Sequence, residues 1–183
     1  MRIITGSARG RKLKEPADYS IRPTSDQVKE ALFNICQFDV EGRRVLDLFG
    51  GTGQLGLEAA SRGAGSVDIV DSSPAALALI RENLARSGLA GVRVHRADAL
   101  SFLKSGGVWD LVLLDPPYDS GLAAAALEQA KAFDILPNGG IIICETRRET
   151  ELPDLAPPYR KGREYRYGKV KLTVYTKDTS ALT

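Results

Sequence analysis

Imidazole and thiol chemistry are nearly absent: the 183-residue chain holds one histidine, His95, and two cysteines, Cys36 and Cys144. Two cysteines so far apart build neither a disulfide scaffold nor a closed zinc site, and no metal is expected. Each reads as a buried thiol, Cys36 in a helix and Cys144 in a strand. His95 sits inside a strand pattern, which fits packing better than general-base work. The single tryptophan, Trp109, precedes another strand and reads as core or edge packing. No apolar run approaches membrane-spanning length, and the start MRIITGSARG lacks the apolar core of a signal peptide. A cytoplasmic protein is expected. Charge of neither sign dominates, with 25 Lys and Arg against 23 Asp and Glu. That balance decides little about partners.

The length suits one main domain with a proper core. Residues 1–20 read as a short β-hairpin appendage: MRIIT and RKLKE flank GSARG, whose glycines suit a turn. Arg2, Arg9, Arg11, Lys12 and Lys14 precede the first acid, Glu15. In RPTSDQVKEALFNICQF, Thr24 with Gln27 resembles a capping box, and Val28, Leu32 and Ile35 share a helical face.

From residue 45 strands and helices alternate. VLDLF (45–49) runs into Gly50, Gly51, Thr52 and Gly53, and a helix follows to Gly63. SVDIVD (66–71) is a second strand, and Ser73 and Pro74 open a helix through IRENLARSG. VRVHRAD (92–98), a short helix over 99–104 and LVLLD come next. GLAAAALEQAKAF is a helix halted before Gly139 and Gly140, and IIICET is the fifth strand. The tail, YRKGREYRY and KVKLTVYT, reads as an antiparallel edge hairpin closed at Gly168. The fold expected is α/β, a mostly parallel seven-stranded sheet with helices on both faces.

GTGQLG (51–56) matches G-x-G-x-x-G, the dinucleotide fingerprint, and Asp71 supplies a ribose-binding acid. An NAD-dependent oxidoreductase therefore stands beside an S-adenosylmethionine (AdoMet) methyltransferase. Asp47 favours the second, because a carboxylate repels a pyrophosphate and attracts a sulfonium or an ammonium group. It could also simply brace the loop. Asp71 could cap the next helix instead of holding a ribose. Asp98 ends the third strand, where it could accept from an adenine amine. As a third acid on successive strand ends it gains weight, since ligands of open α/β sheets bind beyond those ends.

The motif Asp115-Pro116-Pro117-Tyr118 ends the fourth strand. An exocyclic amine is a poor nucleophile because its lone pair is delocalised into the base. Asp115 and the Pro116 carbonyl can accept its two hydrogens, and the prolines hold that carbonyl steady. Tyr118 can stack on the base. The plain alternative is a rigid turn with a half-buried tyrosine.

Together ITGSARGRKL, RPTSDQVKEALFN, DLFGGTGQLGLEAASRGA, IRENL and DPPY resemble the RsmD-type bacterial 16S rRNA (guanine-N2)-methyltransferases. The N-terminal segments discriminate, since glycine loops and DPPY also occur in DNA adenine methyltransferases. The resemblance implies a Rossmann-like class I methyltransferase over residues 21–183, acting on one guanine of the small ribosomal subunit. It implies AdoMet binding by Asp47, Gly50, Gly51, Thr52, Gly53, Asp71, Ser72, Asp98 and Ala99. Arg22 and Thr24 would lie in a segment closing over the methionine end. Amine recognition falls to Asp115, Pro116, Pro117 and Tyr118. Gly50 in place of alanine, and the pair Ser72-Ser73, are small departures. Arg9, Arg11 and Lys12, on a mobile basic loop, are candidate contacts for 16S rRNA. The basic tail hairpin serves either as RNA contact or as solvated strands. Glu145, closing the fifth strand, is either a strand-end acid or a substrate contact. A monomer without a protein partner is expected. Two alternatives remain: a DNA amine methyltransferase, and a non-catalytic RNA- or NAD-binding domain.

Overall fold

The computed structural model describes residues 1–16 and 24–182. Strands β1 (Arg44–Asp47), β2 (Ser66–Asp71), β3 (Val92–Arg96), β4 (Leu111–Leu114) and β5 (Ile141–Arg147) run parallel. The tail strands β6 (Tyr159–Tyr167) and β7 (Val170–Lys177) are antiparallel, giving a seven-stranded sheet in the order β3-β2-β1-β4-β5-β7-β6. Helix α1 (Asp26–Ile35) precedes β1, and α2 (Gln54–Ser61), α3 (Pro74–Ser87), α4 (Ala99–Lys104) and α5 (Leu122–Ala132) connect the successive parallel strands.

Alternation along each strand splits the core into two layers. Val45, Ile69, Leu111, Leu113 and Ile143 face one side, with Val28, Leu32 and Phe33 of α1 and Leu57 of α2. Leu46, Val70, Val112, Leu114 and Ile142 face the other, with Leu103 of α4 and Leu127 of α5. Burial on both faces is why LVLL is uninterruptedly apolar. Chain order reverses between β1 and β4, whose pairing sets Asp47 opposite Leu113. The C-terminal ends of these strands therefore frame the crevice where such sheets bind ligands.

The N-terminal hairpin is minimal: one antiparallel bridge, Arg2 to Lys12, joins its arms. Ile3, Ala8 and Leu13 are buried in the main core. Glu58 of α2 accepts hydrogen bonds from the Ile4 N–H (2.8 Å) and the Thr5 N–H (3.0 Å). Ser61 holds the turn, its carbonyl accepting from the Ser7 N–H at 2.8 Å and its Oγ from the Ala8 N–H at 3.0 Å. Gly6 is required here, since a Cβ would lie 1.7 Å from the Ser61 carbonyl oxygen. The loop expected to be mobile is thus anchored to α2.

The α1 cap also differs from expectation. Ser25, not Thr24, is the N-cap and accepts from the Val28 N–H. Cys36 and Cys144 are buried as expected, and burial pushes the Cys36 thiol up to about 12. His95 and Trp109 both meet Asp68 of β2, through Nε2 at 2.7 Å and Nε1 at 2.9 Å, which is a packing role.

Candidate active site

A cavity of about 670 Å³ opens at the C-terminal strand ends. One wall is the loop after β1. Gly50 is packed so closely that a Cβ would come 2.5 Å from Ile69 Cγ2 and 3.0 Å from Ile80 Cδ1. That contact explains glycine where alanine was expected. The carboxylate of Asp71 accepts from the Gly51 N–H at 2.9 Å and, through its other oxygen, from the Ser73 N–H at 2.8 Å. Asp71 therefore shapes the loop while facing the cavity. Asn83 of α3, within IRENL, is fully buried and donates to the Thr52 carbonyl at 2.9 Å. Its Oδ1 accepts from the Lys14 N–H at 2.7 Å, so one amide ties the loop to the N-terminal arm.

Gly51, Thr52, Ser72, Asp98 and Ala99 also line this cavity. Asp98 is the N-cap of α4, accepting from the Ser101 N–H at 2.8 Å. That backbone hydrogen bond holds its carboxyl below the usual carboxylate range. Asp47 and Gly53 do not reach the cavity wall. Asp47 is buried beneath the loop, where its Oδ2 accepts from the Gly56 N–H at 2.9 Å. Its Oδ1 has no hydrogen-bond partner among the described residues. Burial, partly opposed by the Gly56 N–H and reinforced by Asp115 and Asp71, pushes the Asp47 carboxyl up to about 8. Loop bracing is thus realised, with one oxygen left over.

The opposite wall carries the DPPY turn, with Asp115, Pro116, Pro117 and Tyr118 all at the cavity. Thr24 Oγ1 donates to Asp115 Oδ2 at 2.9 Å. The Thr24 carbonyl accepts from Gln54 Nε2 at 3.0 Å. Gln54 Oε1 in turn accepts from Lys29 Nζ at 3.3 Å, which also donates to the Arg2 carbonyl at 2.6 Å. A buried polar chain thus runs from the N-terminal arm to the DPPY carboxylate. Burial lowers the Lys29 pKa from the ordinary lysine value.

Tyr118 is held on two sides. Its hydroxyl donates to Glu145 Oε1 of β5 at 2.9 Å. The Arg147 guanidinium lies 5.3 Å from the ring centroid and pairs with Asp119 at 3.0 Å. Glu145 is thereby a cavity residue and not merely a strand-end acid. Gln54, Lys29, Asn83 and Arg147 were missed from sequence. The spacing of Lys29 on the apolar face with Val28 and Leu32 was the one available signal.

Arg22 lies outside the described residues. Arg9 and Lys12 are exposed on the N-terminal arm, away from the cavity lining. Arg11 donates to the Ser87 carbonyl at the end of α3, so its guanidinium has a structural partner.

Comparison with known proteins follows the same lines. The family described as Conserved hypothetical protein 95 matches residues 1–176. Ribosomal RNA small subunit methyltransferase D of Escherichia coli (strain K12) is 34% identical over 179 residues, covering 97% of this chain and 90% of that one. The provisionally named rRNA methyltransferase YlbH of Bacillus subtilis (strain 168) is 37% identical over 182 residues, covering 97% and 99%. The solved structure of the Escherichia coli methyltransferase yhhF, also provisionally named, superposes with a TM-score of 0.88 at 32% identity, covering 97% and 98%. With near-complete coverage by sequence and fold alike, the chain belongs to the Conserved hypothetical protein 95 family, that of the RsmD-type methyltransferases its motifs resemble.

Proposed function

We infer that the protein transfers a methyl group from S-adenosylmethionine to the exocyclic N2 amine of a guanine in 16S rRNA of the small ribosomal subunit. The observation that carries this reading is one cavity joining the acid-edged glycine loop to the DPPY turn. Its described lining holds Asp71, Asp98, Asp115 and Glu145 against a single cation, Arg147. Such a wall repels a pyrophosphate and suits a cationic cofactor with an adenosine. The residues present therefore fit AdoMet and disfavour NAD.

Asp71 would hold the ribose, Asp98 and Ala99 the adenine, and the loop from Gly50 to Thr52 the remainder. AdoMet, when bound, supplies an electrophilic methyl group on a positively charged sulfur. The chain's own residues prepare the acceptor. Asp115 and the Pro116 carbonyl accept the amine hydrogens, which favours a tetrahedral nitrogen with a localised lone pair. Tyr118, held by Glu145 and Arg147, presents a flat surface for the base. Thr24 fixes the Asp115 carboxylate, so orientation is set before substrate arrives. Alkylation acidifies the amine, and its proton leaves to Asp115 or solvent.

The family names of the relatives support rRNA as the substrate, and the work would take place in the cytoplasm on subunits or their assembly intermediates. The test supplies labelled AdoMet in parallel to small subunits, naked rRNA and duplex DNA. Label in small-subunit RNA is expected; label in DNA, or in neither nucleic acid, contradicts the reading.

A further inference from the structure

Beside the cavity, separated from it by the start of α1 and the β6–β7 turn, lies a second groove of about 500 Å³. Gln27, Glu30, Ala31, Asn34 and Ile35 of α1 form one bank, and Tyr165 and Tyr167 of the edge strand β6 form the other. The two sites adjoin. Gln27 neighbours Val28, Tyr167 pairs with Val170, and both valines line the cavity.

We propose that this groove is the subsite for single-stranded RNA flanking the target nucleotide, with Tyr165 and Tyr167 stacking on its bases. This rests on the rRNA reading above. The two tyrosines are two residues apart on one strand and so present rings on the same face. Neither hydroxyl has a hydrogen-bond partner among the described residues, nor do the amides of Gln27 and Asn34. Polar side chains in such a state are ready for base edges. Glu30 would repel a phosphate but can accept from a base amine, so bases point inward. Phosphates then face the strand's cations. Arg163 lies 5.2 Å from the Tyr165 ring centroid, and Lys169 occupies the turn beside the cavity mouth. Both lack an ion-pair partner among the described residues, unlike Arg166 and the buried Lys171, which pair with Glu164. A protein partner would have to desolvate the amides of Gln27 and Asn34, the Glu30 carboxylate and two tyrosine hydroxyls.

The test uses the full chain with Tyr167→Ala, Tyr165→Ala and the corresponding Phe variants. Two readouts are taken: methyl transfer as unmethylated small subunits are titrated, and binding of a fluorescent single-stranded 12-nucleotide RNA. Each Ala variant should raise the KM for subunits and the Kd for the oligonucleotide by roughly 5- to 150-fold, the range of one lost base stack. The Phe variants, AdoMet affinity and kcat should stay near wild type, and thermal midpoints certify folding. Ala variants that match wild type in both readouts overturn the proposal. So does a raised subunit KM with unchanged oligonucleotide Kd, which would assign the groove to a ribosomal protein. Phe variants as weak as Ala would overturn the stacking role. A wild-type protein that methylates no RNA would instead fail the functional reading itself.

Discussion

Thr24 Oγ1 donates a 2.9 Å hydrogen bond to Asp115 Oδ2, tying the segment before α1 to the DPPY turn across 91 residues of chain. The bond fixes which way the carboxylate faces before any substrate is present. Thr24→Val should lower kcat roughly 10- to 150-fold, in line with about 1.5–3 kcal/mol for one lost hydrogen bond to a charged group. Thr24→Ser should restore most of it. Asp115→Ala should lose most methyl transfer and keep much of the AdoMet affinity, measured by calorimetry. Equal loss of cofactor binding would place Asp115 in the cofactor site instead.

Burial holds the Asp47 carboxyl at about 8, well above its unfolded value near 4. Between those values the native protein retains a proton that the unfolded chain has released. Stability should therefore fall as pH rises from about 4 to about 8, the reverse of a salt-bridged acid. Asp47→Asn keeps an acceptor for the Gly56 N–H and cannot ionise. Urea unfolding at a series of pH values should show a flatter profile for that variant, and a parallel slope would refute the assignment.

Tyr118 separates ring from hydroxyl. The hydroxyl donates to Glu145 Oε1, and the ring faces the cavity. Tyr118→Phe should retain most RNA affinity, whereas Tyr118→Ala should weaken it roughly 5- to 150-fold. Titration of small subunits under steady-state turnover distinguishes the two.

The N-terminal arm is docked by the Glu58 carboxylate on the Ile4 and Thr5 N–H groups. Glu58→Ala leaves two partly buried donors without acceptors, which costs about 1–3 kcal/mol for each that stays dry. A lower unfolding midpoint and faster proteolysis within residues 1–14 are expected. Unchanged protection would mean that the buried Ile3 and Leu13, with the Ser61, Lys29 and Asn83 hydrogen bonds, hold the arm without Glu58.

Much of this architecture is legible in the sequence. SVDIVD and the β6 segment YRKGREYRY fall where the structure puts them, because strands buried on two faces or ending at glycine turns leave strong marks. Asp71, Asp98 and DPPY converge on one cavity for the same reason: strand order sets their place. Side-chain pairing over long separation leaves no such mark. The cap of α1 shifts from Thr24 to Ser25 while the Thr24 hydroxyl bonds Asp115, a partner that sequence spacing cannot supply. Lys29 would ordinarily be placed in solvent. It is fully buried because the Arg2 carbonyl and Gln54, from two other segments, meet its ammonium group. Asp47 could be read as a charged cofactor acid or as a brace, and only its burial under the loop assigns one oxygen to Gly56.

Nucleoside analysis of the methylated product identifies the acceptor nitrogen. Small subunits from cells lacking the modification are incubated with the protein and labelled AdoMet, and the 16S rRNA is digested to nucleosides. Label is expected in N2-methylguanosine, with near-complete loss for Asp115→Ala. Label in N6-methyladenosine, or none in RNA, would contradict the guanine-N2 reading.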